Sequence, residues 1–167
     1  MIDQNQIDRA KRRAASMLDK AGIAITDKER ASIEVADFGL GELDQTGLEI
    51  VVYENNERYC AKELVLFPRQ TCPEHRHPPR AEMPGKQETF RVRQGIVWLY
   101  VPGPVSDVIH GKIPAGAEKH YTVFHEVQLL PGDQYTLPPG TKHWFQSGDE
   151  GAIVSEFSSP SDDASDI

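Results

Sequence analysis

The stretch Gly132–Ser147, GDQYTLPPGTKHWFQS, decides the fold because it joins two strand-like segments through one tight turn. Pro138 presets a turn-compatible φ, and Gly140 tolerates the positive φ that such turns require. His143 then begins the next segment, which is rich in aromatic residues. The stretch predicts a short strand that reverses sharply and returns with a histidine at its start.

The rest of the chain after about Gly39 has the same texture, with short runs of Val, Ile, Tyr and Phe between turn residues. Many short strands of this kind predict an all-β fold, a sandwich or a barrel. The predicted strands are Leu48–Tyr53, Tyr59–Phe67, Thr89–Arg93, Ile96–Val101, Tyr121–Phe124, Glu126–Leu130, Gln134–Leu137, His143–Gln146 and Ala152–Phe157. The predicted turns are Asn55-Asn56, Gln94-Gly95, Pro131-Gly132 and Pro139-Gly140.

Two helices are predicted ahead of the strands. Apolar residues recur at three- and four-residue steps from Ile7 to Ala21, and Gly22 ends the pattern. Thr26 and Glu29 form a capping box that predicts a second helix running to about Ala36. We therefore expect a single domain over residues 1–167, with two short helices in 1–38, a β-barrel in 39–158 and an acidic tail in 159–167.

Composition excludes several classes of function. The formal net charge of -8 argues against nucleic acid, which requires clustered Lys and Arg. No apolar run approaches the ~20 residues of a membrane span, and the polar N-terminus lacks a signal-peptide core. We expect a cytoplasmic protein that acts on a small molecule, with Cys60 and Cys72 reduced.

The segment CPEHRHPP, Cys72–Pro79, places His75 and His77 one residue apart. On a strand, residues i and i+2 share a face, so both imidazoles would point the same way. Neutral imidazole is a common ligand for divalent transition metals. The alternative is a polar loop whose histidines face water.

Three motifs together resemble the two-block signature of the cupins, which are small jelly-roll barrels. The first block contains the His-x-His pair and then Glu88 with Gly95 seven residues beyond it. The second block has the spacing G-x5-P-x-G-x2-H-x3-N at every position but the last, where Ser147 stands for Asn. By position, the resemblance implies that His75, His77, Glu88 and His143 bind one metal ion.

A set of three imidazoles and one carboxylate suits Mn, Fe, Co, Ni or Zn better than Ca or Mg, and it lacks the thiolates of a structural zinc site. Four protein ligands leave two positions open on an octahedral ion, as a catalytic site requires. The same site would serve three functions: an isomerase, a cupin dioxygenase that uses iron and O2, or a non-catalytic sugar-binding cupin.

Longer segments resemble the D-lyxose isomerase family, cupin aldose–ketose isomerases that use manganese. These segments are RYCAKELVLFPRQTCPEHRHPP, GKQETFRVRQG and HYTVFHEVQLLPGDQYTLPPGTKHWFQSGDEGAIVSEFSS. The resemblance implies a Mn2+ enzyme, with Fe2+, Co2+, Ni2+ or Zn2+ as alternatives, that interconverts a free sugar such as D-lyxose and D-xylulose, or D-mannose and D-fructose. We also expect a homodimer, since pairing protects sheet edges.

Aldose–ketose isomerisation needs a base near the carbon that loses its proton. Glu156 is the candidate, because it shares a strand face with the apolar Ala152 and Val154. Lys62 is the second catalytic candidate: either Lys62 or its neighbour Glu63 must point into the barrel, and a cation there would stabilise a developing enediolate.

Lys86, Trp144 and Phe145 are candidate sugar-binding residues because they lie close to the implied ligands in sequence. Each has a plainer alternative, which is an exposed loop lysine for Lys86 and ordinary core packing for the two aromatic residues. His110, His120 and His125 carry no clear signal.

Overall fold

The computed structural model describes residues 1–79 and 84–161, and within them the chain forms two α-helices and eight strands. The helices are α1 (Gln4–Lys20) and α2 (Asp27–Ser32). The strands are β1 (Glu34–Ala36), β2 (Leu48–Asn55), β3 (Cys60–Leu66), β4 (Thr71–His75), β5 (Glu88–Val101), β6 (His125–Leu129), β7 (Gln134–Leu137) and β8 (His143–Ser158). No helix among the described residues has the length and apolar character needed to cross a membrane.

All strand pairs are antiparallel, in the order β1-β2-β3-β8-β5-β6, with β4 on β8 and β7 on β5. The two long strands β5 and β8 bend, so each takes part in both layers of the fold. The first half of β5 pairs with β7 and the end of β8, whereas its second half pairs with β6 and the start of β8. Apolar side chains from both layers form one buried interior. This arrangement is the predicted all-β jelly roll.

Gly95 allows β5 to bend where the register with β8 shifts. Its φ is +79°, and a Cβ at this position would lie 2.1 Å from the carbonyl oxygen of Gly151. The Gln94-Gly95 pair is therefore a bulge inside one strand, and the prediction of a turn there was wrong. The predicted strands Thr89–Arg93 and Ile96–Val101 are likewise one continuous element.

The helices cover the outer face of the first layer. Ala10, Ala14 and Leu18 of α1 pack against Val51 of β2 and Val65 of β3. The capping box of the second helix is present, since the Glu29 backbone nitrogen donates to Thr26 Oγ1 and the Thr26 nitrogen donates to the Glu29 carboxylate.

The prediction that this second helix continues to about Ala36 was wrong. The helix ends at Ser32, and Ile33 adopts an extended ψ of 124°. The β-branched Ile33 and Val35 favour a strand, and β1 joins the sheet edge beside β2.

The predicted strand Tyr121–Phe124 is a loop. Within this loop, Tyr121 packs edge-on against Trp144, at the end of the long segment that follows β5. The backbone nitrogens of Thr122 and Val123 donate to the Glu74 carboxylate instead of to a neighbouring strand.

Candidate active site

A cavity of about 530 Å3 opens into the barrel interior. Inward-facing side chains of β2 and β3 line one side, with Leu48, Ile50 and Leu64 giving it an apolar wall. The cavity is also lined by charged and titratable residues that the sequence singled out: His75, His77, Glu88, Lys62, Lys86 and Glu156. The volume lies within the ~300–1,000 Å3 typical of small-molecule sites.

The four implied metal ligands meet at this cavity: His75, His77 and Glu88 line it, and His143 lies fully buried beside them. His75 is the last residue of β4 and pairs across the ladder with His143, the first residue of β8. Glu88 begins β5. His77 lies two residues beyond the end of β4, and its carbonyl oxygen accepts a hydrogen bond from Gly140 at 3.1 Å. One ligand atom from each of the four side chains lies within 4.8 Å of the others.

Two of the imidazoles are oriented by backbone carbonyls. His75 Nδ1 lies 2.8 Å from the Pro73 oxygen, and His143 Nδ1 lies 3.0 Å from the Thr141 oxygen. A carbonyl oxygen only accepts, so each Nδ1 must donate, and in the neutral ring the lone pair is then on Nε2. Burial, followed by the neighbouring His143, lowers the pKa of His75 to about 3, which keeps it in the neutral form that binds metals.

The Glu88 carboxylate faces these rings. Its Oε1 lies 3.2 Å from His77 Nε2 and 2.9 Å from His143 Nε2. His143 Nε2 is buried and has no hydrogen-bond partner among the described residues. At 2.9 Å these two atoms must share a proton or a cation, because both are acceptors when His143 is neutral. The donor set and its spacing therefore fit a divalent metal ion, whose N and O ligands lie at about 2.0–2.2 Å from it.

Lys86 joins Glu88 to a second buried carboxylate. Lys86 Nζ lies 2.8 Å from Glu88 Oε2 and 2.6 Å from Glu156 Oε1, and its side chain is 8% exposed. Burial disfavours the charged form of Lys86, but the two neighbouring carboxylates raise its pKa. Despite its burial, the pKa of Glu88 is held well below its usual value by His143, His77 and Lys86. Lys86 and Glu88 therefore remain charged at neutral pH.

Glu156 and Lys62 face the cavity from neighbouring strands. They are register partners in the β3–β8 ladder, and both are only 4% exposed. Lys62 Nζ also donates to Ser161 Oγ at 3.0 Å. Glu63, the alternative inward residue, is buried on the opposite face of β3, where it accepts a hydrogen bond from Ser155 Oγ. The strand alternation thus brings the two candidate catalytic residues into the cavity that holds the histidines.

Of the two aromatic candidates on β8, only Phe145 lines the cavity. Trp144 points to the opposite face, because successive residues of a strand alternate and His143 points inward. Its ring stacks on Tyr100, and its Nε1 donates to the Val123 oxygen at 2.8 Å. Trp144 is therefore a packing residue, and the prediction that it lines the sugar pocket was wrong.

Lys86 is a buried residue that contacts two carboxylates of the site, and not the exposed loop lysine that was its alternative interpretation. It lies two residues before Glu88 on an extended segment, where Gln87 exchanges hydrogen bonds with Ser159. This i, i+2 spacing was the available signal that Lys86 shares a face with the metal ligand. The rest of the loop, residues 80–83, and the tail residues 162–167 lie outside the described residues. Phe38, at the mouth of the cavity, had no signal in the sequence.

The remaining histidines do not line the cavity. His110 stacks on Trp98 and contacts the Glu126 carboxylate at 2.6 Å. His125 contacts the Pro104 oxygen at 3.0 Å.

Comparison with known proteins gives full-length relatives. The chain is 59% identical over 167 residues to the D-lyxose/D-mannose isomerase of Thermosediminibacter oceani, a match that covers 100% of this chain and 92% of the relative. It is 60% identical over 167 residues to the D-lyxose ketol-isomerase of a Thermofilum species, covering 100% and 93%. No protein-family model matches the chain.

Among solved structures, the L-ribose isomerase of Acinetobacter sp. DL28 in complex with L-ribose has a TM-score of 0.78. This match is 20% identical and covers 96% of this chain and 82% of that one, so it bears on the fold alone. The fold, together with the identity of about 60% to full-length relatives, confirms the resemblance first seen in the sequence motifs. The chain belongs to the D-lyxose ketol-isomerase family of sugar isomerases.

Proposed function

We propose that this protein is a metal-dependent ketol-isomerase that interconverts D-lyxose and D-xylulose by proton transfer. The observation that carries the proposal is the pair of buried carboxylates, Glu88 and Glu156, that share the Lys86 ammonium group beside three histidines. One carboxylate is placed to bind a metal and the other is placed to move a proton. The names of the full-length relatives support the substrate.

His75, His77, Glu88 and His143 would hold the metal ion. A divalent ion there supplies a Lewis acid that polarises the sugar carbonyl and orients the neighbouring hydroxyl. The donor set of imidazole and carboxylate without thiolate admits Mn, Fe, Co, Ni or Zn, and we propose Mn2+ because the chain resembles isomerases that use manganese.

Glu156 is the proposed base. An aldose becomes a ketose when the hydrogen on C2 leaves as a proton, a proton moves from O2 to O1, and C1 receives a proton. One carboxylate can take the proton from C2 and return it to C1, since these two carbons are bonded to each other. Glu156 lines the cavity and, unlike Glu88, is not one of the four implied metal ligands.

Two cations support this step. Lys86 lies 2.6 Å from Glu156 Oε1, so it orients the carboxylate that is to take the proton. Lys62 lines the cavity from the adjacent strand. A buried ammonium group near the reacting carbons stabilises the negative charge that develops on the sugar oxygens. Phe145 and Leu64 supply apolar surface that excludes water from the reaction.

A hexose is a second candidate substrate. The relative from Thermosediminibacter oceani is named for both D-lyxose and D-mannose, which have the same configuration at the carbons next to the carbonyl. The cavity of about 530 Å3 has room for the additional hydroxymethyl group. We also propose that the protein works in the cytoplasm as a homodimer, on the basis of its composition and its sheet edges.

The proposal is tested with a panel of aldoses. Metal-stripped protein is assayed for ketose formation under anaerobic conditions, before and after addition of Mn2+. We expect no turnover without metal, and formation of D-xylulose from D-lyxose when Mn2+ is present. A strict requirement for O2, or metal binding without turnover of any aldose, would contradict an isomerase.

A further inference from the structure

The loop that follows β1 carries an exposed aromatic side chain at the cavity mouth. Phe38 lines the cavity, together with its neighbours Asp37 and Gly39, yet its side chain is 42% exposed. An aromatic ring that is neither packed in the core nor fully in solvent leaves apolar surface open to whatever enters the cavity.

Phe38 also has an unfavourable backbone conformation. Its φ is +52°, and the following Gly39 has a φ of +75°. A left-handed conformation is ordinary for glycine but is an outlier for a bulky residue. Such strain persists where the surrounding structure fixes it, and it is concentrated at functional sites. A glycine would fit this backbone better, so the ring itself must be the useful feature of residue 38.

Asp37 holds the loop in this conformation. Its Oδ1 accepts from the Gly39 nitrogen at 3.0 Å, and its Oδ2 accepts from the Ile2 nitrogen at 3.2 Å. Its carbonyl oxygen accepts from the Leu40 nitrogen at 2.9 Å. The bond to Ile2 ties the loop to the start of the chain, so the position of the ring does not depend on a flexible hinge.

We propose that Phe38 is a substrate-binding residue whose ring packs against the carbon-bound hydrogens of an aldose seated in the cavity. This inference rests on the proposed function and adds a specific residue to it. A sugar presents hydroxyl groups to the charged side of the cavity and C–H groups elsewhere. The face of an aromatic ring carries partial negative charge and suits those C–H groups. The ring thus contacts the C–H groups of the substrate while the charged side chains bind its hydroxyl groups.

Kinetics of Phe38 variants test this role. Phe38→Ala and Phe38→Gly should raise KM for D-lyxose about fivefold to tenfold with little change in kcat, the pattern expected when binding is lost equally in the ground and transition states. Phe38→Tyr keeps the ring and should restore KM to within about twofold. Leu40→Ala is the matched control, because Leu40 is 59% exposed on the same loop but does not line the cavity.

Stability provides a second readout. Because glycine relieves the left-handed strain, Phe38→Gly should melt at the same temperature as wild type or higher, with unchanged metal content. A residue that merely held the loop would lower the melting temperature when removed. The inference is overturned if Phe38→Gly and Phe38→Ala leave KM within twofold of Leu40→Ala.

Binding can also be observed without turnover. In Phe38→Trp the new indole should report a saturable fluorescence change on addition of xylitol, a polyol that cannot isomerise. Wild type, with Trp98 and Trp144 only, gives the background signal. A response no larger than that of wild type would contradict contact with the ligand. This signal is separate from isomerase activity, so failure of the proposed reaction and failure of this contact are distinguishable.

Discussion

The two faces of the first sheet layer bury carboxylates in opposite electrostatic settings. On the cavity face, Glu88 lies 2.8 Å from the Lys86 ammonium group, and its pKa is well below the usual value. On the helix face, Glu49 is fully buried, and burial raises its pKa to about 8, with Gln70 and Arg13 only partly offsetting the effect. Burial likewise raises the pKa of Glu63, which faces Ser155 and Arg93.

The difference shows that burial alone does not make a catalytic acid. The carboxylates of the cavity have a deeply buried cation within 3 Å and face open space that a ligand can enter. Those of the helix face have only partial compensation, from Gln70 and Arg13 for Glu49 and from Ser155 and Arg93 for Glu63. Glu88 is kept charged, whereas burial drives Glu49 and Glu63 toward the neutral form.

Removal of a metal ligand should have the largest effect. His143→Ala should lower the affinity for Mn2+ about 100-fold or more and reduce turnover to background, because even outer partners of metal ligands contribute about 10–100-fold. Metal content per chain and turnover are measured on the same samples. His125→Ala, outside the cavity, is the control and should keep both. Full metal occupancy in folded His143→Ala would remove His143 from the ligand set.

Glu156→Gln should have the next largest effect. The amide keeps the shape of the side chain but cannot accept the proton, so turnover should fall about 10²–10⁴-fold while Mn2+ stays bound. The matched control is Glu63→Gln, which changes the buried carboxylate on the other face of the neighbouring strand. It should retain turnover within about threefold. If both variants lost turnover equally, the cavity face would have no special role in catalysis and the account would be wrong.

Lys86→Met should reduce both turnover and stability. Turnover should fall about 100-fold because Glu156 loses the cation that orients it, a loss of the size seen when one polar donor of a site is removed. Without metal, the variant leaves two buried carboxylates without their shared cation, and breaking such a buried pair costs about 3–5 kcal/mol of the free energy of unfolding. Denaturant unfolding of the chelated protein measures this loss. A variant as stable as wild type would show that Lys86 does not hold the two carboxylates.

Glu49→Gln should have the smallest effect on turnover but a clear effect on the pH dependence of stability. The pKa of Glu49 is about 8 when folded and near 4.5 when unfolded, so the unfolded state loses this proton first as pH rises. Glu49 should therefore contribute a loss of stability between about pH 4.5 and 8, on the order of a few kcal/mol in total. Below about pH 6.5 His75 opposes this loss, because its pKa is lowered to about 3 on folding, so the decline should be clearest above pH 6.5.

Melting temperature against pH checks this expectation. In Glu49→Gln the melting temperature should fall less steeply as pH rises, and at pH 8 it should be higher than that of wild type. A smaller fall should remain, because burial also raises the pKa of Glu63. Glu54→Gln, an exposed position on the same strand, should follow wild type. A wild-type melting temperature that rises steadily from pH 5 to pH 8 would contradict a neutral, buried Glu49.

The sequence was informative about which face of a strand each side chain occupies, because side chains alternate along a strand. It predicted that Ala152, Val154 and Glu156 share a face, and it narrowed the inward residue of β3 to Lys62 or Glu63; the structure selects Lys62. The same rule would have excluded Trp144 once His143 was taken to point inward. Spaced motifs also brought together the four implied ligands, although their role as ligands stays a prediction.

What could not be predicted depended on contacts between distant segments. The bridging position of Lys86 requires Glu88 and Glu156 to meet across the β5–β8 ladder. The loop at Thr122 and Val123 replaces a strand because Glu74, 48 residues away from Thr122, accepts its backbone hydrogens. The location of Phe38 at the cavity mouth depends on a strained backbone that periodicity does not encode.

Turnover in D2O tests most directly whether the charged cavity face transfers a proton. D-lyxose is isomerised by the Mn2+-loaded protein, and the position of deuterium is read by NMR over many turnovers. If Glu156 carries the proton, it can exchange with solvent, and deuterium should appear at C1 of D-xylulose and at C2 of D-lyxose. Complete retention of the substrate hydrogen would indicate a hydride shift and would leave Glu156 without the role of a base.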